Sequence, residues 1–315
     1  MDLKQLRYFI GICDAGSISR AAKVLYVAQP ALSNHVSNME ASLGVELLHR
    51  SSHGVVPTES GEILYAAAQR IMRDVSRISE EVKTLQQNPA GKVAIGVAEA
   101  QSNIFGDVFL HRMVTLFPSI ELHYTSGQSI DLYRKLQAGL LDIGLFFKEA
   151  EIAGVDSRII LNEELFIASA YQKDTGKHHN NVVTLEELRT LPFIFPYKTH
   201  FSIRRIVESA FNGVDFSPQV VAEMDSFISI KKYVSRGLAS TILPWSALHE
   251  EVENKTIMLR TIEGVKLNRN IELCLPVDRP QSIAVRETSR VANEVIKELI
   301  SSGKWLHASF IEEPA

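Results

Sequence analysis

Only two cysteines occur in the 315 residues, Cys13 and Cys274, far apart and each set inside an apolar run. At this size they exclude a disulfide framework, and neither sits in a metal-ligand spacing. They read as two buried thiols, with a redox switch as the alternative. No stretch approaches the ~18 uninterrupted apolar residues that a membrane span needs. The opening Met1-Asp2-Leu3-Lys4-Gln5 has no charged leader ahead of an apolar core. These absences lead us to expect a cytoplasmic protein without a membrane partner. Charge of one sign is also lacking: the formal net charge is -4, so bulk charge gives no hint of nucleic acid. Catalytic signatures are missing too, with no phosphate loop, nucleophile elbow or metal-spaced His/Cys cluster. His178 and His179 are neighbours on the chain and do not face one site. The expectation is therefore a protein that is not an enzyme, with no catalytic residue, no metal and no cofactor.

What is present is organised in three regions. The length suits two or three domains, and 45% hydrophobic with 22% charged residues is an ordinary globular balance. Residues 1–57 read as short helices broken at glycine and proline. Asp2 caps a first helix with Leu3, Leu6, Phe9, Ile10 and Cys13 on one face, and Gly16-Ser17 ends it. Ser17 caps a second helix holding Ile18, Ala21, Ala22 and Leu25. A third helix has Pro30 in its first turn, an apolar stripe of Leu32, Val36, Met39 and Leu43, and Gly44 at its end. Two short strands follow, Leu47–Arg50 and Gly54–Pro57, around a polar tip. Small Ala21 and Ala22 let two helices cross closely, which presents the polar face of the third helix to a major groove. Gln29, Ser33, Asn34 and Ser37 lie on that face, where amides and hydroxyls can reach base edges or phosphates. Arg20, Lys23 and His35 are further candidates for groove or phosphate contact, and Arg50 and His53 flank the strand tip.

Residues 58–89 read as one long helix with a heptad stripe. Leu64, Ile71, Ile78 and Leu85 recur every seven residues, and Ala68, Val75 and Val82 lie four after the first three. So narrow a stripe among charged neighbours reads as a dimerisation seam; the alternative is a helix packed on its own domain. Residues 90–315 alternate strand and helix, which implies doubly wound α/β layers. The expected arrangement is two lobes around a cleft: lobe I from about 90–162 plus 268–301, lobe II from about 163–267. Ligands in such folds gather where strands end and helices begin. Gln101 and Ser102 follow the first strand, and Ser129 opens a helix after the second. In lobe II, Lys198, Thr199 and His200 follow the strand Phe193–Phe195, and Ser226 opens another helix. This set suits a small-molecule effector, an anion being one class that Lys198 or His200 would hold.

Ala21-Ala22, Leu25, Ala28-Gln29-Pro30-Ala31-Leu32-Ser33, Val36, Met39-Glu40, Leu43-Gly44, Leu47-Leu48 and Arg50 follow in one unbroken register. This resembles the DNA-binding signature of LysR-type transcription regulators over about the first 60 residues. The resemblance continues in Gly127, Leu136-Gln137-Ala138-Gly139, Leu141-Asp142-Ile143-Gly144 and Val234-Ser235-Arg236-Gly237-Leu238, which look like that family's co-inducer domain. Ala239 and Ser240 depart from it where many relatives carry glycine. The resemblance implies an α+β multidomain protein: a winged helix-turn-helix, a long linker helix and a two-lobed effector domain like a periplasmic binding protein. It implies DNA contacts at Gln29, Pro30, Ser33 and Asn34. It further implies double-stranded DNA with an interrupted inverted repeat, self-association as dimer or tetramer, and RNA polymerase as partners. A solute-binding protein or an enzyme on the same two-lobed body is the rival reading. One point stands against the DNA reading: residues 1–60 carry five basic side chains (Lys4, Arg7, Arg20, Lys23, Arg50) against five acidic ones (Asp2, Asp14, Glu40, Glu46, Glu59).

Overall fold

A computed structural model describes residues 1–51, 54–83, 89–147, 154–172, 181–196, 202–211, 217–277 and 281–311. The chain forms two compact units, one of Met1–Gly91 with Ala138–Leu140 and one of Lys92–Gln137 with Leu141–Ala315.

In the first unit, helix α1 (Leu3–Ala15) starts from a reciprocal cap: Asp2 accepts from the Gln5 N–H, and the Gln5 side chain accepts from the Asp2 N–H. Gly16, in the left-handed region, closes it. Ser17 caps α2 (Ile18–Val24), and α3 (Gln29–Leu43) follows after a short turn, with Pro30 in its first turn and left-handed Gly44 at its end. Ala21 and Ala22 are buried with Leu32, Val36 and Met39 in one core under Phe9 and Ile12. Leu43, read from the sequence as part of that stripe, is half exposed because α3 ends there. Strands β1 (Leu48–Ser51) and β2 (Gly54–Pro57) pair antiparallel as a wing.

Helix α4 (Glu59–Lys83) completes this core rather than standing apart from it. A head of fewer than 60 residues buries only ~60% of its surface and is marginal alone, and α4 supplies Leu64, Tyr65, Ala68 and Ile71 to its core. Gly61 makes the approach possible, since a Cβ there would lie 2.0 Å from the Leu47 carbonyl oxygen. The seam expected from the heptad is corrected at Ala68, which is 0% exposed against the head of its own chain and has no surface left for a partner helix. Leu64 and Ile71 are half-buried on that same core. Further along the stripe Val75 is half-buried and Ile78 is 57% exposed. The Val82 side chain and Leu85 lie outside the described residues.

The second unit is built on one long strand, β6 (Val155–Ala170). At ~3.3 Å per residue its sixteen residues extend about 50 Å, enough to serve two sheets. Its first half pairs with β12 (Asn268–Pro276), which lies beside β5 (Ile143–Phe147). Strands β3 (Gly91–Ala98) and β4 (Ile120–Gly127) complete that side in the order β4-β3-β5-β12-β6. Its second half pairs with β10 (Thr241–Pro244) and β11 (Ile257–Ile262), and the short β7 (Val182–Val183) lies parallel beside β11. Beyond β10 stand the parallel strands β8 (Pro192–Phe195) and β9 (Gln219–Glu223). Helices α5 (Glu99–Leu116), α6 (Ser129–Gln137) and α11 (Ile283–Ser301) pack on the first sheet; α7 (Leu185–Thr190), α8 (Ser202–Ala210), α9 (Phe227–Ser235) and α10 (Trp245–Glu253) belong to the second. Among the described residues two large apolar cores result, one around Phe105, Phe109, Ile143 and Val295, the other around Ile167, Phe193, Ile230 and Leu243, with a smaller cluster of Leu132, Leu136, Leu141 and Phe146 under α6.

Where β6 and β12 pass between the two cores, Glu163 pairs with Arg269. The Glu163 carboxylate is 2% exposed. It accepts from Arg269 Nε at 2.5 Å, from Gln101 Nε2 on α5 at 2.7 Å and from Ser246 Oγ on α10 at 2.8 Å. Each of the three donors comes from a different element, so this carboxylate ties both lobes to the crossover. Removing one partner of such a pair leaves a buried uncompensated charge. Glu163→Gln is expected to destabilise the second unit by ~3 kcal/mol, read as a lower melting temperature of that transition in calorimetry. Ser246→Ala, which removes one neutral donor, is expected to cost ~1 kcal/mol.

Candidate nucleic-acid interface and effector cleft

The first turns of α3 bring the sequence-picked residues to one surface. Gln29, Pro30, Asn34 and Ser37 are all exposed on α3, and Ser33 is half-buried beside them. No side chain caps the helix start at Ala28, so the first backbone N–H groups and the Gln29 amide are left to whatever lies outside. Leu32 and Val36, on the opposite side of the same turns, are wholly buried. His35 is half-buried with its ring 5.1 Å from that of Tyr8; this contact anchors α3 to α1 and takes much of the imidazole away from a groove.

The wing is held against α3 by Glu40. Its Oε1 accepts the N–H groups of Leu47 at 3.0 Å and Leu48 at 3.3 Å, and its Oε2 lies 3.5 Å from Arg50 Nη2. Arg50 also reaches Ser33 Oγ at 3.4 Å. On its other side the wing is stapled to the α1–α2 turn, where the Val55 N–H donates to the Gly16 carbonyl at 3.0 Å. Gly54 permits this closeness: at φ +135°, a Cβ would stand 2.4 Å from the Gly16 oxygen. Between the wing and α2 opens a groove of about 470 Å³ lined by Ser17, Arg20, Arg50, Ser51 and Gly54. Arg20 and Lys23 are exposed. His53 lies outside the described residues.

This arrangement answers the charge objection. Of the five acidic groups in the head, Asp2 caps α1, Asp14 accepts from the Tyr65 hydroxyl, and Glu40 is turned to the wing backbone. Arg20 and Arg50 meanwhile share one groove. A zero sum hides a sorted surface. Cys13, half-buried next to Asp14, has its thiol pushed up to about 11 by burial and then by that carboxylate. It is therefore a protonated, unreactive thiol near neutral pH, and Cys274 is fully buried.

In the second unit the expected effector residues are distributed differently from the sequence reading. Gln101 is wholly buried, with its amide donating to Glu163. This corrects its assignment as an open ligand contact: it belongs to the crossover network. Ser102 accepts from the Tyr124 hydroxyl at 2.9 Å. Ser129 lies inside the first turn of α6, where the Gln128 carbonyl accepts from Asp131 and Leu132. The Ser226 hydroxyl accepts from the Ser229 N–H and caps α9. Lys198, Thr199 and His200 lie outside the described residues. Two groups not singled out from the sequence face the same region. Gln128 Nε2, at the start of α6, donates to the Asp225 carbonyl beside α9 at 3.4 Å. Glu99 opens α5; burial raises its pKa while Lys231 on α9 pulls the other way. Lys231 itself stands 3.0 Å from Glu251. A carboxylate of the chain's own thus occupies the positive end of the α5 dipole.

The same two units appear in comparisons with known proteins. Residues 3–62 match the family model of the lysR-family bacterial regulatory helix-turn-helix protein, and residues 86–296 match that of the LysR substrate binding domain. The nitrogen assimilation regulatory protein nac of Escherichia coli K12 is 30% identical over 292 residues, covering 91% of this chain and 93% of that one. Among solved structures, a full-length OxyR variant from Pseudomonas aeruginosa superposes with TM-score 0.72 at 21% identity, covering 100% and 99% of the two chains. Full-length CbnR in complex with its target DNA superposes with TM-score 0.69 at 22% identity, covering 94% and 100%. At such identities the structures speak to the fold.

The Glu40 arrangement is open to a direct check. Glu40→Ala leaves two backbone N–H groups without their acceptor, at a cost of ~2 kcal/mol or more to the head. Glu40→Gln keeps one acceptor oxygen and is expected to lose about half as much in the same thermal melt.

Proposed function

The chain belongs to the LysR family of DNA-binding transcription regulators with an effector-binding domain, and on that premise we propose that paired copies place α3 in successive major grooves of an interrupted inverted repeat. The observation that carries this reading is the bare polar edge of α3. Gln29, Pro30, Asn34 and Ser37 stand exposed on a helix whose other side is fully packed. Gln29 and Asn34 read base edges, Ser33 and Ser37 reach bases or phosphates, and Arg20, Lys23 and Arg50 hold the backbone beside the groove. His35 and His53 add secondary contacts, the first limited by its packing on Tyr8.

Self-association runs through α4 beyond the part packed on the head: Val75 and Ile78, the latter 57% exposed, lie on the seam, Leu64 and Ile71 border it, and Ala68 is excluded. Val82 and Leu85, which continue the heptad in the sequence, belong to the same proposal. The domains are then a winged helix-turn-helix over 1–57, a linker helix over 58–89 whose first half serves the head, and an effector domain from 90. Dimer and tetramer both satisfy this seam. A small-molecule effector sits between the lobes, near the openings of α5, α6 and α9, with Ser102, Ser129 and Ser226 at its margin and Lys198, Thr199 and His200 supplied by lobe II. Glu99 disfavours an anionic group at the α5 opening, so any anionic end of the effector is directed toward lobe II. The effector shifts the equilibrium only by binding one lobe arrangement better than the other. The output is altered transcription in the cytoplasm, with RNA polymerase as the last partner.

Binding to the duplex upstream of the chain's own gene, followed by fluorescence anisotropy, tests the DNA assignment. Gln29→Ala with Ser33→Ala is expected to weaken binding at least ~10-fold; unchanged affinity overturns the placement of α3. Arg20→Ala, removing one phosphate contact per subunit, is expected to reduce the slope of log K against log salt by ~2 for a dimer. Ile78→Asp is expected to yield monomers in light scattering while leaving the head's melting temperature unchanged; a persisting dimer moves the interface elsewhere.

A further inference from the structure

Tyr26 stands in the turn between α2 and α3 with φ +55° and a side chain 95% exposed. The left-handed region is disfavoured for a bulky residue and is usually filled by glycine or asparagine at a helix end. The turn itself needs no phenol. Its bonds are all main-chain: Leu25 N–H to the Ala21 carbonyl at 2.8 Å, Val27 N–H to Ala22 at 3.0 Å and Tyr26 N–H to Lys23 at 3.4 Å. Glycine would make every one of them without strain. The head therefore carries a conformational cost at Tyr26 and receives no packing in return.

The place of this cost matters. Tyr26 precedes Gln29 by three residues, in the segment that delivers the uncapped start of α3. In a helix-turn-helix that start enters the groove, so the turn before it runs beside the phosphates. A phenol hydroxyl is a neutral donor suited to a phosphate oxygen. We propose that Tyr26 is a DNA-positioning residue, its hydroxyl donating to a backbone phosphate at the edge of the groove that α3 enters. The proposal rests on the reading of α3 as the groove helix. Strain tolerated at this position is the stability given up for that contact.

The test uses the full chain and the duplex that the wild-type protein selects from a random pool. Tyr26→Gly and Tyr26→Phe each remove the hydroxyl contact twice per dimer and are each expected to weaken binding about ten-fold. Because the hydroxyl is uncharged and displaces no counterion, both variants keep the wild-type salt slope. Because phosphates carry no sequence information, both select the same site. Tyr26→Gly is further expected to melt no lower than wild type, which separates a contact from a structural role. Affinity within two-fold of wild type for Tyr26→Gly, a lower melting temperature, or an altered selected sequence each overturns the proposal. If the wild-type chain selects no duplex at all, it is the α3 assignment that fails first.

Discussion

The Glu40 carboxylate accepts from two backbone N–H groups of the wing and faces the Arg50 guanidinium, while its own Cα belongs to α3. This makes it the joint between the two surfaces that a duplex would meet. A side chain with one acceptor oxygen could not serve both the wing backbone and the arginine. The joint also has an electrostatic consequence. Arg50 is preoriented, with Ser33 as its second partner, so less rotamer freedom remains to be lost on meeting a phosphate. Gly54 and Gly61 let the backbones approach closely enough for that joint to close, one at the α1–α2 turn and one at Leu47.

Glu163 performs the equivalent task in the second unit under harsher conditions, because it is nearly without solvent. A buried ion pair is weak evidence of net stabilisation; what it fixes is geometry. Its donors come from α5, from β12 and from α10, so a change in lobe angle must either carry this network along or strain it. The two strands that join the lobes thus have a preferred arrangement at their crossing. A ligand that shifts the lobes would have to work against that preference.

The head was legible in the sequence because its determinants are local. Asp2, Gly16, Ser17, Pro30 and Gly44 mark helix ends within a few residues of where they act, and the stripe of Leu32, Val36 and Met39 identifies its own buried face. The heptad of α4 shows where such reasoning stops. Periodicity identifies a face but not the surface that covers it, and from Leu64 to Ile71 the cover is the chain's own head. In the second unit, β8 and the start of α9 were legible as an apolar run and a cap, whereas β6 was not legible over its full length. Its first half contains Asn162, Glu163 and Glu164, which look like loop until β12, about a hundred residues away, supplies the partners. Gln101 was misassigned for the same reason, since the carboxylate that buries it is 62 residues distant. Tyr26 left no signal beyond being a tyrosine; its left-handed backbone angle, shared with Lys255 and His307, marks it only together with its exposure and its place before α3.

The balance of five basic and five acidic groups in the head has a consequence for how the proposed regulator would switch. A strongly basic head holds DNA through phosphate contacts that any nearby duplex can offer. The cations at the groove beside the wing are Arg20 and Arg50, and Arg50 already faces Glu40, so one copy alone would hold weakly. Affinity then comes mainly from engaging two half-sites at once, an effective-concentration gain lost when the spacing between heads is wrong. Spacing is a property that a linker helix and an effector domain could alter, whereas head charge is not. A head whose overall charge is balanced, with its cations confined to one groove, is therefore the condition under which a change in lobe angle would govern occupancy of the operator.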